Sequence, residues 1–270
     1  MSSSLIDIGA NLTHDSFDRD RAEVIARARA AGVTTMIVTG SDINTSHAAL
    51  TLCGEYPGTL YCTAGVHPHH AQAFDTDTSS ALHGLLARPE VLAVGECGLD
   101  YFRNFSPPDA QRTAFEAQLA LACETGKPAF LHQRDAHQDF IAIARPCRDH
   151  LVAGVVHCFT GSEMELQDYL ELDLYIGITG WICDERRGMH LRERVKRIPA
   201  DRLMLETDAP YLLPRDIKPR PAHHRNEPMH LAHICKVVAT CTGKTAARIA
   251  DETSANAQRF FNLPTAHPVR

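Results

Sequence analysis

The chain has 270 residues, 44% of them hydrophobic and 22% charged, and carries a formal net charge of −6. That length exceeds the usual domain of roughly 150 residues but suits a barrel of roughly 250 built as one unit, and the composition excludes a disordered or collagen-like chain. The acidic balance excludes a protein that wraps duplex DNA in clustered lysine and arginine, although a small basic site in an acidic body stays open.

No apolar run reaches the roughly 18 to 20 residues of a membrane helix, and Met1 to Leu5 offers neither a basic nor an apolar signal region, so a cytoplasmic protein is expected. The nine cysteines are odd in number, widely spread and contain no C-x-x-C. They read as reduced, mostly buried thiols rather than a disulfide framework or a zinc ribbon.

Eight short stretches rich in Val, Ile, Leu, Tyr or Cys read as buried strands, starting near Leu5, Thr34, Leu60, Val91, Pro128, Gly154, Leu174 and Arg202. Each step between them is about one βαβ unit. After the first strand, Val24, Ile25 and Ala28 mark a helix that stops at Gly32. Phe115, Leu119 and Ala122 share one face of a helix ending before Gly126-Lys127-Pro128, and Asp135 is expected to cap the helix carrying Phe140, Ile141 and Ile143. Ser162 with Glu165 forms a capping box for the next. Nearly continuous apolar strands alternating with helices predict an α/β (β/α)8 TIM barrel, because a parallel sheet is buried on both faces.

A long polar loop follows from Pro210 to Glu227. Pro228 then opens a helix running to about Thr242, and two short helical patterns follow near Ala246 and Ala255. Residues 1–263 are read as one barrel domain and 264–270 as a frayed tail. Thr242-Gly243-Lys244-Thr245 is a helix stop rather than a phosphate loop, since Val238 stands where the first glycine would be needed. There is no H-E-x-x-H, G-x-S-x-G or G-x-G-x-x-G after the first strand.

Active sites of such barrels form at the C-terminal strand ends. Those ends carry Asp7 and Asn11, His67, Glu96, His132, His157, and Glu206 with Asp208. A lone buried charge costs several kcal/mol, so Glu96, His132, His157 and Asp208 converging on one mouth read as ligands whose mutual repulsion a divalent cation would offset, or as a structural polar network. Glu206 and Asp208, two apart in a strand, are expected to point to the same side. One would ligate while the other handles protons or supports, unless Glu206 lies deeper as an ion-pair partner. Asp100 is either a surface cap or part of the site. Near the rim stand Arg103 and Phe105, Arg134, Trp181 with Arg186 and Arg187, and Lys218, Arg220 and Arg225. Trp181, the only tryptophan, is a candidate base-stacking wall.

The segments Ala64–His69, Gly95–Asp100, His132–His137, His157–Gly161, Gly177–Trp181 and Glu206–Tyr211, with Arg225-Asn226-Glu227-Pro228, together resemble the TatD family of metal-dependent deoxyribonucleases. The resemblance runs from about Ile6 to Leu263. It implies a TIM-barrel metallohydrolase of the amidohydrolase-like type that cuts phosphodiester bonds with Mg2+ or another divalent ion. By motif match Glu96, His132, His157 and Asp208 take ligand roles and His67 a place near the scissile phosphate. Asp208, His67 and Glu206 are the candidate catalytic groups, and Trp181, Arg134, Arg186 and Arg225 the candidate substrate-binding ones. The likeness through Trp181–Gly188 implies a 3′ to 5′ exonuclease on single-stranded DNA and RNA, in DNA repair or degradation; the lack of an apolar run leads to the expectation of no membrane partner, and no obligate protein partner is expected.

Many family members open with D-x-H-x-H, whereas this chain has Gly9 and Asn11 at the two histidine positions. Losing two imidazoles makes the site richer in oxygen, which favours Mg2+ or Mn2+ and leaves open one ion or two. An ester or amide hydrolase on the same centre, such as an aminoacyl-tRNA deacylase, is the enzymatic alternative, and an inactive binding barrel the non-enzymatic one.

Overall fold

Strand and helix alternate from the first element of the computed structural model, which describes residues 4–219, 221 and 224–263. The expected tail at 264–270 and Arg220 lie outside the described residues. β1 (Leu5–Ala10) leads through α1 (Arg21–Ala30) to β2 (Val33–Val38), then α2 (Ile43–Glu55), β3 (Leu60–Ala64) and α3 (Thr76–Leu86). β4 (Val91–Asp100), α4 (Pro108–Thr125), β5 (Ala129–Arg134), α5 (His137–Cys147), β6 (Gly154–Val156) and α6 (Glu163–Glu171) follow. β7 (Tyr175–Ile178), α7 (Met189–Arg194), β8 (Leu203–Leu205), α8 (Leu231–Thr242) and α9 (Ala246–Phe260) complete the order. The eight strands pair in parallel, in chain order. Closure comes at the C-terminal ends, where Ala10 bridges Ala209 in parallel and Asp208 N donates to Gly9 O at 2.8 Å. This is the (β/α)8 barrel.

The apolar residues divide into two shells, as alternation along a strand requires. One shell lies between strands and surrounding helices and includes Val24, Ile25, Phe115, Leu119 and Phe140. The other holds Ile6, Ile8, Ile37, Ala93, Phe130, Val155 and Met204 packed against Ala257 and Phe260 of α9. Every residue of β1 is buried. Helix α4 ends at Gly126 in the left-handed conformation, and α6 starts with the Ser162–Glu165 capping box. No helix among the described residues is long and apolar enough to cross a membrane.

Two local expectations are corrected. Asp135 does not cap α5: the cap position is Ala136, Asp135 takes a positive φ of 54°, and Gln133 Oε1 accepts from Ala136 N instead. The two short patterns after Thr245 are one helix, α9. Its polar Thr253, Ser254 and Asn256 interrupt the apolar pattern yet are buried, because each hydroxyl or amide donates to a backbone carbonyl, Asn256 to both Ala200 O and Leu203 O.

Candidate metal centre

All eight strand ends contribute to a single mouth, a cavity of about 700 Å3. Its wall includes Asn11 after β1, Ser41 after β2, His67 after β3, Glu96 in β4, His132 in β5, His157 after β6, Trp181 after β7 and Asp208 after β8. Glu96 owes its position to the residue before it. Gly95 has a φ of +134°, and a Cβ there would stand 2.2 Å from Phe130 O, so only glycine lets β4 press against β5 while turning the next side chain into the mouth. Glu96 N then donates to Gly40 O at 2.8 Å.

Three imidazoles meet one oxygen of this carboxylate. His132 Nδ1 lies 2.8 Å, His157 Nε2 2.9 Å and His67 Nε2 3.4 Å from Glu96 Oε1. Burial alone would raise Glu96, but His157 and His67, with hydrogen bonds from His132 and His157, outweigh it and hold the carboxyl well below its ordinary value. His157 is the counterpart: burial opposes its charge, yet Glu96 and Glu206 raise it well above an ordinary imidazole. Burial drives His67 the other way, down to about 4. Asp208 is pushed up to about 7, mainly by burial, with Glu96 and Glu206 adding to it and His157 opposing. Asn11 Nδ2 donates to Asp208 Oδ1 at 3.0 Å and fixes that carboxyl.

The second nitrogen of each ring decides what the first can do. His157 Nδ1 donates to Glu206 Oε2 at 3.1 Å, and the Nε2 proton held by Glu96 is the one a bound cation would displace. His132 Nδ1 donates to Glu96, and its buried Nε2 has no hydrogen-bond partner, standing 3.6 Å from Asp100 Oδ2. A buried imidazole nitrogen without a hydrogen-bond partner, on a ring held between Glu96 and Asp100, is what a metal site requires, so these residues fit a divalent ion. His67 differs. Ligating atoms of His67, Glu96 and His132 all lie within 4.8 Å of one another. Yet His67 Nδ1 accepts from His69 N at 3.0 Å, which puts the ring proton on Nε2 and makes that atom a donor toward the mouth.

Several expected residues stand elsewhere. β8 ends at Leu205, so strand alternation stops before Glu206 and Asp208, and the positive φ of Asp208 (53°) turns the two carboxyls apart. Glu206 is fully buried and absent from the cavity wall. It occupies space left by two missing side chains: a Cβ on Gly9 would come 2.6 Å from Glu206 Oε2, and one on Gly177 2.5 Å from Oε1. Its carboxylate accepts from His157 and from Cys158 N, so it holds His157 rather than facing substrate. Asp7 is also fully buried, accepting from Thr207 N and Oγ1, and burial pushes it up to about 8. It ties β1 to β8 and does not reach the cavity.

Of the rim cations, Arg134 and Arg187 line the cavity. Arg187 lies 4.4 Å over the Trp181 ring and Arg134 3.9 Å over Phe102. Arg186, expected to bind substrate, is outside the wall: Asp184 accepts from both backbone amides and from Arg187 Nε, and it is Arg187 that lines the cavity. Arg225 is likewise outside, locked to Asp20 and Glu227. Neither Arg103 nor Lys218 lines the cavity. The expectation underweighted Arg187, His69 and Asp100. His69 Nε2 meets Asp100 Oδ2 at 2.8 Å, and Asp100 is buried rather than a surface cap. The His67-Pro68-His69 spacing and the even separation of Glu96 and Asp100 along β4 carry that signal.

A (β/α)8 barrel with an imidazole and carboxylate cluster at its strand ends defines a hydrolase barrel of the metal-dependent type. A family model described as TatD related DNase matches residues 6–262. The 3′-5′ ssDNA/RNA exonuclease TatD of Erwinia tasmaniensis is 53% identical over 96% of this chain and 100% of its own length. That of Klebsiella pneumoniae is 51% identical over 96% and 98%. Among solved structures, a TatD homologue from Escherichia coli k12 is 28% identical with a TM-score of 0.88, covering 98% of this chain and 100% of that one. A TatD family hydrolase from Entamoeba histolytica is 26% identical with a TM-score of 0.88, covering 97% and 99%. The chain belongs to the TatD related DNase family.

Proposed function

We propose that this chain is a metal-dependent 3′ to 5′ exonuclease on single-stranded DNA and RNA, the activity in the names of its curated relatives. The observation that carries the reading is the convergence of His67, His132 and His157 on Glu96 Oε1 at the floor of a cavity walled by Arg134, Arg187 and Trp181. The catalytic unit is the single domain 1–263.

Glu96, His132, His157 and Asp208 would hold the ion, with Mg2+ or Mn2+ as the physiological metal given the share of carboxylate ligands. When bound, a divalent ion polarises a phosphoryl oxygen and acidifies water beside it. The Asp208 carboxyl would accept that proton through an oxygen not engaged by the ion, and the Asn11 amide keeps it oriented. His67 Nε2–H donates to a phosphate oxygen, its tautomer set by the His69 amide. Glu206 keeps His157 facing the cluster. Arg134 and Arg187 hold the backbone phosphates while Trp181 and Phe102 offer faces to unstacked bases.

Oligonucleotides labelled at the 5′ or the 3′ end, incubated with EDTA, Mg2+ or Mn2+, test the reading. Single strands should shorten from the 3′ end, stop in EDTA and resume with either ion. Shortening from the 5′ end, or rates indifferent to EDTA, would overturn it.

A further inference from the structure

A second group of ligating side chains lies outside the mouth. Cys183 closes the short turn Gly180–Cys183 after β7, Asp216 lies in the long loop after β8, and His233 sits in the first turn of α8. Their thiol, carboxylate and imidazole atoms all lie within 4.8 Å of one another, and none of the three lines the cavity. Cys183 is fully buried, whereas Asp216 and His233 are about a third exposed, so one anchor is rigid and two can adjust.

We propose that Cys183, Asp216 and His233 form a second divalent-cation site that takes zinc, with water completing four-coordination. Thiolate, imidazole and carboxylate are the zinc donor types, and a soft sulfur disfavours Mg2+. His233 Nε2 stands 2.6 Å from Asp216 Oδ1, closer than two ligands of one tetrahedral zinc, which at bonds of about 2.0 Å lie about 3.3 Å apart. The two exposed side chains have room to open by that margin. Burial and the adjacent Asp216 both keep the Cys183 thiol protonated, so a thiolate forms there only where a cation offsets it, and zinc uptake releases the proton. The ion would join the Trp181 turn and the loop after β8 to α8. Those two segments already touch, since a Cβ on Gly180 would stand 2.2 Å from Leu212 O, and both Trp181 and Leu212 line the cavity. The site thus braces one wall of the mouth without joining the catalytic cluster.

Chelator-stripped full-length protein titrated with Co2+ tests this, read by the near-ultraviolet thiolate-to-cobalt absorption, which oxygen and nitrogen ligands do not produce. The band should saturate at the intensity of one thiolate-bound cobalt per chain, whatever the mouth takes up, and bleach on adding Zn2+. It should vanish in Cys183→Ser, survive in Cys158→Ser, whose thiol lines the cavity, and need at least tenfold more Co2+ in His233→Gln. A wild type without the band, or a band lost in Cys158→Ser and kept in Cys183→Ser, overturns the proposal and leaves Asp216 as the acceptor of a hydrogen-bonded triad. If Cys183→Ser does not fold, His233→Gln decides, and an unchanged midpoint there overturns it.

Discussion

Two charged clusters of this barrel are put together on different principles. Beside α1, two guanidiniums face two carboxylates: Arg27 and Arg225 both bond Asp20 and Glu227, at 2.7 to 3.0 Å. At the mouth, every ion-pair partner of Glu96 among the described residues is a histidine, and Asp208 and Glu206 add further negative charge around the same imidazoles. The first cluster is balanced by fixed cations, and its buried unpartnered nitrogen, Arg225 Nε, is a donor that cannot take a cation. The second is short of positive charge and keeps an open nitrogen on His132, which is how a site for an added cation differs from a structural ion-pair network.

Breaking the mouth should have the largest effect. Glu96→Gln removes the charge that gathers three imidazoles, and turnover on single strands should fall at least about 1000-fold, a barrier increase of about 4 kcal/mol, with the far-ultraviolet dichroism intact. A variant near the wild-type rate at limiting Mg2+ would remove Glu96 from the centre. Asp208→Asn should cost about 100-fold or more in kcat. The sign of its pH dependence follows from burial: a carboxyl raised to about 7 is protonated below that value, so wild-type rate and metal affinity rise with pH through about 7. Higher metal concentration should move that midpoint lower. Asn in its place should flatten the profile, and a variant within about threefold of wild type would exclude Asp208 from proton transfer, a barrier change under about 1 kcal/mol.

The balanced cluster should behave oppositely. Arg225→Gln leaves Asp20 and Glu227 short of a partner, and the expected loss of about 1–3 kcal/mol lowers Tm by several degrees while kcat on oligonucleotides stays within twofold. A fall in kcat with unchanged Tm would place Arg225 with substrate after all. The smallest effect separates two neighbours. Arg187→Ala should raise KM for oligonucleotides several-fold with little change in kcat, and Arg186→Ala should do less, since only Arg187 faces the cavity. Equal effects would mean that Asp184 does not sort the two.

The sequence alone carried the architecture and most of the mouth. Strands buried on both faces cannot alternate in polarity, so their apolar runs stand out, and the polar residues at their ends are few enough to name Glu96, His132, His157 and Asp208 before any coordinates. Spacing in the chain says which residues reach the mouth but not where each side chain turns once the strand has ended. Glu206 and Asp208 part company because β8 stops at Leu205 and Asp208 takes a positive φ, and Glu206 fits where it does because Gly9 and Gly177, on two other strands, lack side chains. Arg225 faces Asp20, about two hundred residues away, and the tautomer of His67 depends on a backbone amide two residues on. Those outcomes depend on hydrogen bonds and close contacts formed only when distant segments meet, and only the tertiary structure decides them.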